Sequence, residues 1–250
     1  MSSGKAPFDL TSRTALVTGA TGGIGLAIAE GLCNAGASTL LNGRDAQKAE
    51  VAAAKLGGNA KPLPFDIADA DAVKTAFEGI YGLDILINNV GIRDRKALDD
   101  FSLEDFRSLL DANLIAAFDL SRRAAALMKR RGKGRIINVT SIAGHVARPG
   151  DAIYTASKAA LTGLTRAMAA ELGPEGITVN AIAPGYVATD TNAEMVADAK
   201  IAEFLKNRTS LGRWAEPFEL AGAAVFLASD AASYVTGHVL TVDGGFTAHF

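Results

Sequence analysis

The feature that most constrains the fold is a regular alternation of short apolar runs with longer amphipathic stretches. The apolar runs are mostly continuous, which is typical of strands covered on both faces. Seven runs are predicted as strands: Thr14–Thr18, Ser38–Leu41, Pro62–Asp66, Ile85–Asn88, Arg135–Thr140, Thr178–Ile182 and Val239–Val242. The stretches between them are predicted as helices: Ile24–Asn34, Ala46–Leu56, Asp71–Ile80, Leu103–Arg131, Ala152–Leu172 and Pro217–Leu227. This alternation predicts an α/β fold, a doubly wound seven-stranded parallel sheet with helices on both faces.

No linker divides the 250 residues, so the whole chain, 1–250, is predicted to be a single domain. Residues 1–12 have no long apolar run and are predicted to form a flexible N-terminal tail. The stretch 186–210 is long and helix-like, and it lies between a strand and the last helix. An α/β protein places a lid over its site at such a position, so this stretch is predicted to be a substrate lid inserted into the domain.

Composition and charge exclude several classes of function. The net charge of −2 gives no electrostatic reason to expect a nucleic acid or a membrane surface as partner. The single cysteine, Cys33, cannot form an internal disulfide, and no Cys/His spacing suits a metal. Because Cys33 lies in an apolar helical stretch, it is predicted to be a small core residue rather than a reactive thiol. With no apolar run suited to a signal peptide or a bilayer span, the protein is predicted to be cytoplasmic.

A glycine-rich turn follows the first predicted strand and precedes the first helix. It reads Thr18-Gly19-Ala20-Thr21-Gly22-Gly23-Ile24-Gly25, a Gly-x3-Gly-x-Gly spacing that is one variant of the dinucleotide fingerprint. Glycines here let a pyrophosphate approach the N–H groups at the helix start, where the helix dipole favours negative charge. The turn therefore predicts a dinucleotide cofactor. No Gly-Lys-Ser/Thr sequence is present, which argues against a P-loop kinase or ATPase.

The end of the second predicted strand indicates which dinucleotide binds. An acidic residue at this point would bind the ribose 2′-hydroxyl of NAD. In this chain that position is Gly43, and it is followed by Arg44, whose guanidinium can pair with a 2′-phosphate. NADP(H) is therefore predicted to be preferred. NAD(H) stays possible if Arg44 is only a solvated loop charge and Asp45 turns back to the ribose.

Tyr154 and Lys158 form a Tyr-x3-Lys pair within a predicted helix. Positions i and i+4 share one helix face, so the ammonium can lie beside the phenol. A free tyrosine has a pKa of about 10, and a neighbouring cation lowers this value, which makes the phenol usable as an acid or a base. Upstream, Ser141 follows a predicted strand, at a carboxyl end where open α/β sheets place their ligands.

These motifs, in this order, resemble the short-chain dehydrogenase/reductase family in its single-domain form, and the resemblance extends from Thr14 to Gly245. The matching segments are Thr18-Gly19-x3-Gly23-x-Gly25, Asp66, Asn88-Asn89-Val90-Gly91, Asn113, Ser141, Tyr154-x3-Lys158, Asn180 and Pro184-Gly185. One departure is Val90, where the family more often has alanine, and its extra methyl groups are expected to shift the cofactor slightly without removing activity. The resemblance implies a Rossmann fold and hydride transfer between NADP(H) and a secondary alcohol or ketone.

The resemblance also implies roles for individual residues. Tyr154 would exchange the proton at the substrate oxygen, and Ser141 would hydrogen-bond that oxygen. Lys158 would lower the pKa of the tyrosine, and Asn113 would hold a water that links the lysine to solvent. An amide in mid-helix independently indicates a special partner for Asn113. The residues expected to bind the cofactor are Gly19, Thr21, Gly23, Ile24, Gly25, Arg44, Asp66, Ile67, Asn89, Gly91, Tyr154, Lys158, Pro184, Gly185, Val187 and Thr189.

The sequence constrains the substrate less than it constrains the fold or the cofactor. Within the family the chain is most similar to members of the gluconate 5-dehydrogenase type, which implies a sugar acid such as gluconate or 5-ketogluconate. Arg95 is the candidate that would bind the carboxylate, unless it only forms an exposed ion pair with Asp94 or Asp99. The residues expected to bind substrate are Arg95, Ser141, His145 and Tyr154.

Other classes of function stay open at this point. A 3-oxoacyl-acyl-carrier-protein reductase would share every catalytic residue, so only pocket residues discriminate between the two substrates. A non-catalytic NADP-binding sensor would have no need of the complete catalytic set. The sequence around Ser141 is not the Gly-x-Ser-x-Gly of a hydrolase. Self-association as a homodimer or homotetramer is predicted, since the long helical stretches are rich in Ala and Leu and the chain ends in the apolar Phe250.

Overall fold

The computed structural model describes residues 6–249, in which seven strands form one sheet. The strands are β1 Thr14–Val17, β2 Ser38–Leu41, β3 Ala60–Pro62, β4 Ile85–Asn88, β5 Gly134–Val139, β6 Ile177–Pro184 and β7 Val239–Val242. Their order across the sheet is β3-β2-β1-β4-β5-β6-β7, and every neighbouring pair is parallel. The doubly wound seven-stranded sheet expected from the sequence is confirmed.

Helices cover both faces of the sheet. In the described part of the chain the α-helices are α1 Gly23–Asn34, α2 Ala46–Leu56, α3 Ala70–Glu78, α4 Leu103–Leu110, α5 Ala116–Lys129, α6 Ala152–Leu172, α7 Ala193–Ala197, α8 Ala199–Arg208 and α9 Ala221–Ala228. The bounds of α2 and α6 agree with those predicted. The last predicted helix begins as a 3₁₀ turn, Pro217–Leu220, and continues as α9.

The alternation of side chains along each strand explains why the apolar runs are continuous. In β4, Ile85 and Ile87 belong to the core that α1, α2 and α9 cover, whereas Leu86 belongs to the core under α3, α5 and α6. Because successive side chains of a strand point to opposite faces, a strand between two helical layers needs an apolar residue at every position. All three of these side chains are fully buried, and each such burial is worth about 1.5–3 kcal/mol.

The third strand differs from the prediction. It was expected at Pro62–Asp66, but the strand observed is Ala60–Pro62, which pairs with β2 at the edge of the sheet. Beyond Pro62 the Leu63 and Phe65 N–H groups still donate to the Leu41 and Gly43 carbonyl oxygens at 2.9 and 3.2 Å. The carbonyl oxygens of Leu63 and Phe65, however, accept from the side chain of Asn42, whose Nδ2 lies at 3.3 and 2.9 Å, so the regular strand ends although the chain stays attached to the end of β2.

The long helix predicted over Leu103–Arg131 is interrupted. A π-helical turn, Asp111–Ile115, separates α4 from α5. A π turn inserts a residue into the α-helical repeat, which changes the direction in which the side chains of that turn point. Asn113 lies in this turn and is fully buried, so the interruption of the helix positions a residue of the candidate site.

Part of the predicted N-terminal tail contacts the rest of the domain. Residues 1–5 of that tail lie outside the described residues. Leu10 is fully buried and its N–H donates to the Ala35 carbonyl at 2.8 Å. The Phe8 ring packs against that of Phe226, with 6.5 Å between their centroids. The flexibility of residues 1–12 stays a prediction.

The predicted lid, 186–210, begins directly after β6. It contains a 3₁₀ turn, Asp190–Asn192, followed by α7 and α8. A single parallel bridge between Val187 and Ala215 connects its base to the segment that precedes α9. The function of this segment as a lid stays a prediction.

The described residues show neither a membrane span nor a metal cluster. No helix among them is long and apolar enough to cross a membrane, and no group of His, Cys, Asp and Glu side chains suits a metal ion.

Cys33 is half-buried in α1, and burial raises the pKa of its thiol. A raised pKa keeps the thiol protonated, which agrees with an inert packing residue.

Candidate active site

The predicted site residues converge at the carboxyl edge of the sheet. The chain runs from β1 to β2 and β3 on one side, then crosses to β4 on the other side of β1. This reversal is a topological switch point, where open α/β sheets bind their ligands. The glycine-rich turn follows β1, Gly91 follows β4, Ser141 follows β5, and Pro184 ends β6.

The glycine-rich turn leaves the start of α1 open to an anion. A Cβ at Gly25 would clash with the Gly19 carbonyl oxygen, so the turn and the helix approach each other closely. Gly22, at the N-cap, offers no side-chain acceptor, and the first turn of α1 contains no acidic residue. The N–H groups at this end are therefore available for a phosphate. This geometry fits the pyrophosphate of a dinucleotide.

Asn89 fixes the turn to the strand beside it. Its Nδ2 donates to the Thr18 carbonyl at 2.9 Å, and its backbone N–H donates to Thr18 Oγ1 at 2.9 Å. Beyond the turn, Thr189 lies close to Gly23, since a Cβ built there would lie 3.4 Å from the Thr189 methyl group. Residues that follow β1, β4 and β6 thus meet at one place.

The end of β2 favours a 2′-phosphate over a free ribose hydroxyl. Asp45 caps α2, because its carboxylate accepts the Lys48 N–H at 3.1 Å, and so it is engaged away from a ribose. Arg44 is exposed and forms no ion pair with any residue that the structure describes. A Cβ at Gly43 would lie 2.5 Å from the Thr21 methyl group, so this position has no room for an acidic side chain. These residues fit NADP(H).

The remaining predicted cofactor residues border this region. Asp66 is exposed after β3, and its carboxylate accepts the Ala68 N–H at 2.9 Å. Ile67, the next residue, is half-buried. Gly185 packs against Asp243, and Val187 is buried at the base of the segment that follows β6. Their predicted contacts with the cofactor stay predictions.

Lys158 is buried below the site. Its Nζ donates to the Val139 carbonyl at 3.0 Å and lies 5.8 Å from the centre of the Tyr154 ring. Burial lowers the pKa of Lys158 to about 8, so the ammonium is still charged at neutral pH. A Cβ at Gly91 would lie 2.8 Å from Nζ, so a side chain at this position would displace the ammonium.

Tyr154 and Ser141 are brought together, as the sequence predicts for a catalytic pair. The Ser141 hydroxyl forms a hydrogen bond with the Tyr154 hydroxyl, and Ser141 Oγ accepts the Ala143 N–H at 3.1 Å. Burial raises the pKa of Tyr154, although the hydrogen bond to Ser141 and the charge of Arg93 oppose this change. The phenol therefore holds its proton at neutral pH.

Asn113 has the special partners that its mid-helix position predicts. Its Oδ1 accepts the Ile92 N–H at 2.8 Å, and its Nδ2 donates to the Ile92 carbonyl at 2.9 Å and to Ser157 Oγ at 3.1 Å. Ser157 in turn donates to the Tyr154 carbonyl at 2.8 Å. Asn113 thereby connects the loop after β4 with α6, the helix that contains Tyr154 and Lys158. The water expected at this residue stays a prediction.

Three arginines cluster around Asp151, a residue that no sequence motif indicated as part of the site. This carboxylate is fully buried and accepts from Arg93 Nε at 2.8 Å and from Arg95 Nε at 3.3 Å, while Arg148 Nε lies 3.6 Å away. Burial raises the pKa of Asp151, but its bonds with Arg93 outweigh this and hold the pKa below the usual range. Spacing alone could not have joined the two loops, because Arg93 and Arg95 follow β4 whereas Arg148 and Asp151 follow β5.

The cluster excludes the exposed ion pair that was the alternative for Arg95, and the contact of Arg95 with a substrate carboxylate stays a prediction. The residue pairs with Asp151 rather than with Asp94, whose carboxylate binds Lys96 at 2.7 Å. Arg95 Nη1 also contacts Met195 Sδ at 3.5 Å, in the predicted lid. His145, by contrast, is exposed at the end of a 3₁₀ turn, so its contact with substrate stays a prediction.

Comparison with known proteins agrees with this geometry. A profile of the family described as Enoyl-(Acyl carrier protein) reductase matches residues 19–247. The gluconate 5-dehydrogenase of Gluconobacter oxydans is 45% identical over 247 residues, which are 96% of each chain. A 3-oxoacyl-acyl-carrier-protein reductase of Synechocystis sp. is 40% identical over 94% of this chain and 97% of its own. The crystal structure of a gluconate 5-dehydrogenase from Burkholderia cenocepacia, in complex with NADP and tartrate, is 41% identical, covers 98% of both chains and has a TM-score of 0.93.

Proposed function

The chain belongs to the short-chain dehydrogenase/reductase family, and we propose that it interconverts a secondary alcohol and a ketone of a sugar acid, with gluconate and 5-ketogluconate as the pair to test. It is an NADP(H)-dependent oxidoreductase that acts on a CH–OH group. The observation that carries the choice of substrate is the group of guanidiniums beside Tyr154. A cytoplasmic location stays a prediction.

Two regions of the described residues would bind the phosphate groups of the cofactor. The glycine-rich turn and the N-terminus of α1 would hold the pyrophosphate, and Arg44 would bind the 2′-phosphate. Asn89 and Thr189 border the same cleft. When bound, NADP(H) supplies or accepts the hydride.

The protein's own residues supply the proton chemistry. In the direction of reduction, Tyr154 donates its proton to the substrate carbonyl oxygen, and the raised pKa of the phenol ensures that this proton is present at neutral pH. Ser141 positions that oxygen through its hydroxyl. The Lys158 ammonium stabilises the phenolate that remains, and it is charged below a pH of about 8. In the direction of oxidation, the same phenolate removes the proton of the alcohol.

The charge around the site supports an acid rather than a thioester as substrate. Three guanidiniums surround the single carboxylate of Asp151, so two positive charges are uncompensated before substrate binds. Arg95 and Arg148 are partly exposed and have further N–H groups free to bind a carboxylate. A 3-oxoacyl thioester has no negative charge near its reacting carbonyl and would gain little from this cluster.

A substrate comparison tests the proposal. Purified protein should oxidise NADPH with 5-ketogluconate, and reduce NADP with gluconate, faster than with a 3-oxoacyl thioester or with neutral sugars of the same length. Turnover of the thioester alone would replace the sugar acid as substrate. No oxidation of NADPH by any carbonyl compound, together with tight NADPH binding, would indicate the non-catalytic sensor instead.

Replacing Arg95 by alanine is expected to raise KM for the sugar acid about tenfold or more, because a charge-assisted bond to the carboxylate is worth about 1.5–3 kcal/mol. KM for NADPH should not change. Arg107→Ala is the matched control, since Arg107 lies on α4 and is paired only with Glu104 at 3.9 Å. Steady-state kinetics measure both constants, and an unchanged KM for the sugar acid would refute the role of Arg95 in binding the carboxylate.

We also propose that the chain self-associates, as a homodimer or homotetramer. The described residues leave several large apolar side chains exposed on α4, the π turn and α5, among them Phe106, Ile115 and Phe118, which is 47% exposed. Phe118 and Met168 line a groove between α5 and α6. Exposed apolar surface of this kind is typical of an interface. Phe250, whose apolar ring also suggested association, lies outside the described residues.

Light scattering at micromolar concentration is expected to give the mass of two or four chains. A Phe118→Arg variant should shift the population towards the monomer, because it places a charge in the proposed interface. Phe218→Arg, at an exposed position of the turn that precedes α9, is the matched control and should leave the mass unchanged. A monomeric wild-type protein would contradict the proposal.

A further inference from the structure

A second cation lies against the catalytic tyrosine, and it is not the lysine of the Tyr-x3-Lys motif. The Arg93 guanidinium carbon lies 4.8 Å from the centre of the Tyr154 ring, whereas Lys158 Nζ lies 5.8 Å from it. A guanidinium within about 6 Å of an aromatic centroid is attracted to the ring. When the ring carries the negative charge of a phenolate, Coulomb attraction adds to this effect.

Arg93 is fixed in this place by Asp151. Both nitrogens on one edge of the guanidinium, Nε and Nη2, donate to the two oxygens of the carboxylate. This is the bidentate arrangement that gives such a pair geometric specificity. The Asp151 side chain is fully buried, whereas that of Arg93 is 36% exposed. Because Asp151 lies at the N-terminus of α6 and Tyr154 lies in its first turn, anchor and target are parts of one rigid element.

We propose that Arg93, held by Asp151, is a positioning residue that orients the Tyr154 ring and stabilises its phenolate, in addition to Lys158. The proposal rests on the proposed oxidoreductase function, but not on the identity of the substrate. Arg93 acts through Tyr154 and needs no contact with substrate. The carboxylate of the sugar acid is left to Arg95 and Arg148, which have free N–H groups.

The other charged groups around Tyr154 determine how far the loss of Arg93 can shift the pKa of the phenol. Burial raises the pKa of Tyr154, the hydrogen bond to Ser141 and the charges of Arg93 and Arg95 lower it, and the charge of Asp151 raises it. The titratable and charged groups that face the phenol or its arginine partners are Lys158 on α6, Asp151 before it, Arg93 and Arg95 after β4, Arg148 after β5, and Tyr186 after β6. The guanidinium carbon of Arg93 lies nearer to the centre of the Tyr154 ring than Lys158 Nζ does.

The direction of the effect follows from the charge. Loss of Arg93 raises the pKa of Tyr154 further, so less phenolate is present at a given pH. The oxidation of the alcohol, which needs the phenolate as base, is therefore slowed at neutral pH and recovers at higher pH. The reduction of the ketone, which needs the phenol, changes less.

The test is the pH profile of alcohol oxidation in wild type, Arg93→Gln and Arg93→Lys, with any alcohol that the wild type oxidises. The apparent pKa of kcat should rise by about half to one unit in Arg93→Gln and return towards wild type in Arg93→Lys. At pH 7 this shift corresponds to a three- to tenfold loss of kcat, with KM for NADP unchanged. Arg107→Gln is the control for loss of a surface charge.

A second measurement needs no substrate. Tyrosinate absorbs in the ultraviolet, so a pH titration of wild type minus Tyr154→Phe isolates Tyr154 from the other three tyrosines. The same subtraction in the Arg93→Gln background should give a higher pKa for Tyr154. An equal pKa in both backgrounds, or equal loss of kcat at every pH, would overturn the proposal and reduce Arg93 to a structural role. Failure to oxidise sugar acids would refute the substrate assignment and leave this titration valid.

Discussion

Replacing Tyr154 by phenylalanine is expected to lower kcat by about 10²–10⁴-fold, the usual contribution of a general acid or base. The variant keeps the ring and loses only the hydroxyl that meets Ser141, so the fold and the affinity for NADPH should not change. Stopped-flow or steady-state oxidation of NADPH measures the first effect, and fluorescence titration with NADPH measures the second. Full turnover by this variant would refute the proton chemistry proposed for the site.

Replacing Lys158 by methionine should remove a similar part of the activity, because the phenolate loses its buried cation. In contrast to its effect on activity, this substitution is expected to make the folded chain more stable. The pKa of Lys158 lies at about 8 in the folded chain and at about 10.5 when unfolded, so protonating this side chain costs folding free energy at neutral pH. Replacing it by an apolar side chain of similar length is expected to raise the free energy of unfolding by on the order of 1–2 kcal/mol at pH 7.

The pH dependence of unfolding separates this explanation from a general packing effect. Between pH 8 and pH 10.5 the unfolded wild type binds more protons than the folded protein does, so its free energy of unfolding should rise with pH in this window. Lys158→Met lacks the group and should show a smaller rise. Lys55→Met, at an exposed position near the end of α2, is the matched control. Denaturant unfolding at several pH values measures the difference, and parallel curves for wild type and Lys158→Met would contradict it.

Replacing Arg44 by alanine is expected to weaken NADPH about 10- to 100-fold, since a charge-assisted bond to phosphate contributes about 1.5–3 kcal/mol. The affinity for NADH should change by less than about twofold, because NADH has no 2′-phosphate to lose. The structure supports this difference: Asp45 is engaged in capping α2, and Thr21 fills the space beside Gly43 where an acidic side chain would otherwise select NADH.

Calorimetric titration with each cofactor measures the two affinities directly. Lys55→Ala, on the helix that follows Arg44, is the control for the loss of one positive charge, and it should bind both cofactors as the wild type does. Equal weakening of NADPH and NADH by Arg44→Ala would mean that Arg44 is a surface charge with no part in cofactor selection.

The fold could be predicted because its determinants are local. A strand between two helical layers needs a continuous apolar run, and Ile85–Asn88 and Ser38–Leu41 were located on this signal alone. Residues at the ends of these strands are brought to one edge of the sheet by its topology, so the order of the motifs already implied a shared site. The bounds of β3 were wrong because the carbonyl oxygens of Leu63 and Phe65 bind the Asn42 side chain, an interaction that a hydropathy pattern does not register.

The positions of Tyr154 and Lys158 were likewise determined by the sequence, because i and i+4 meet on any helix. Only the tertiary structure decided what surrounds them. The π turn that directs Asn113 towards Ile92, and the buried Asp151 that collects arginines from two different loops, depend on contacts between residues far apart in the chain. A buried carboxylate needs partners wherever they come from. Spacing reports only neighbours along the chain, so Arg93 could be placed against Tyr154 only once the sheet had brought β4 and α6 together.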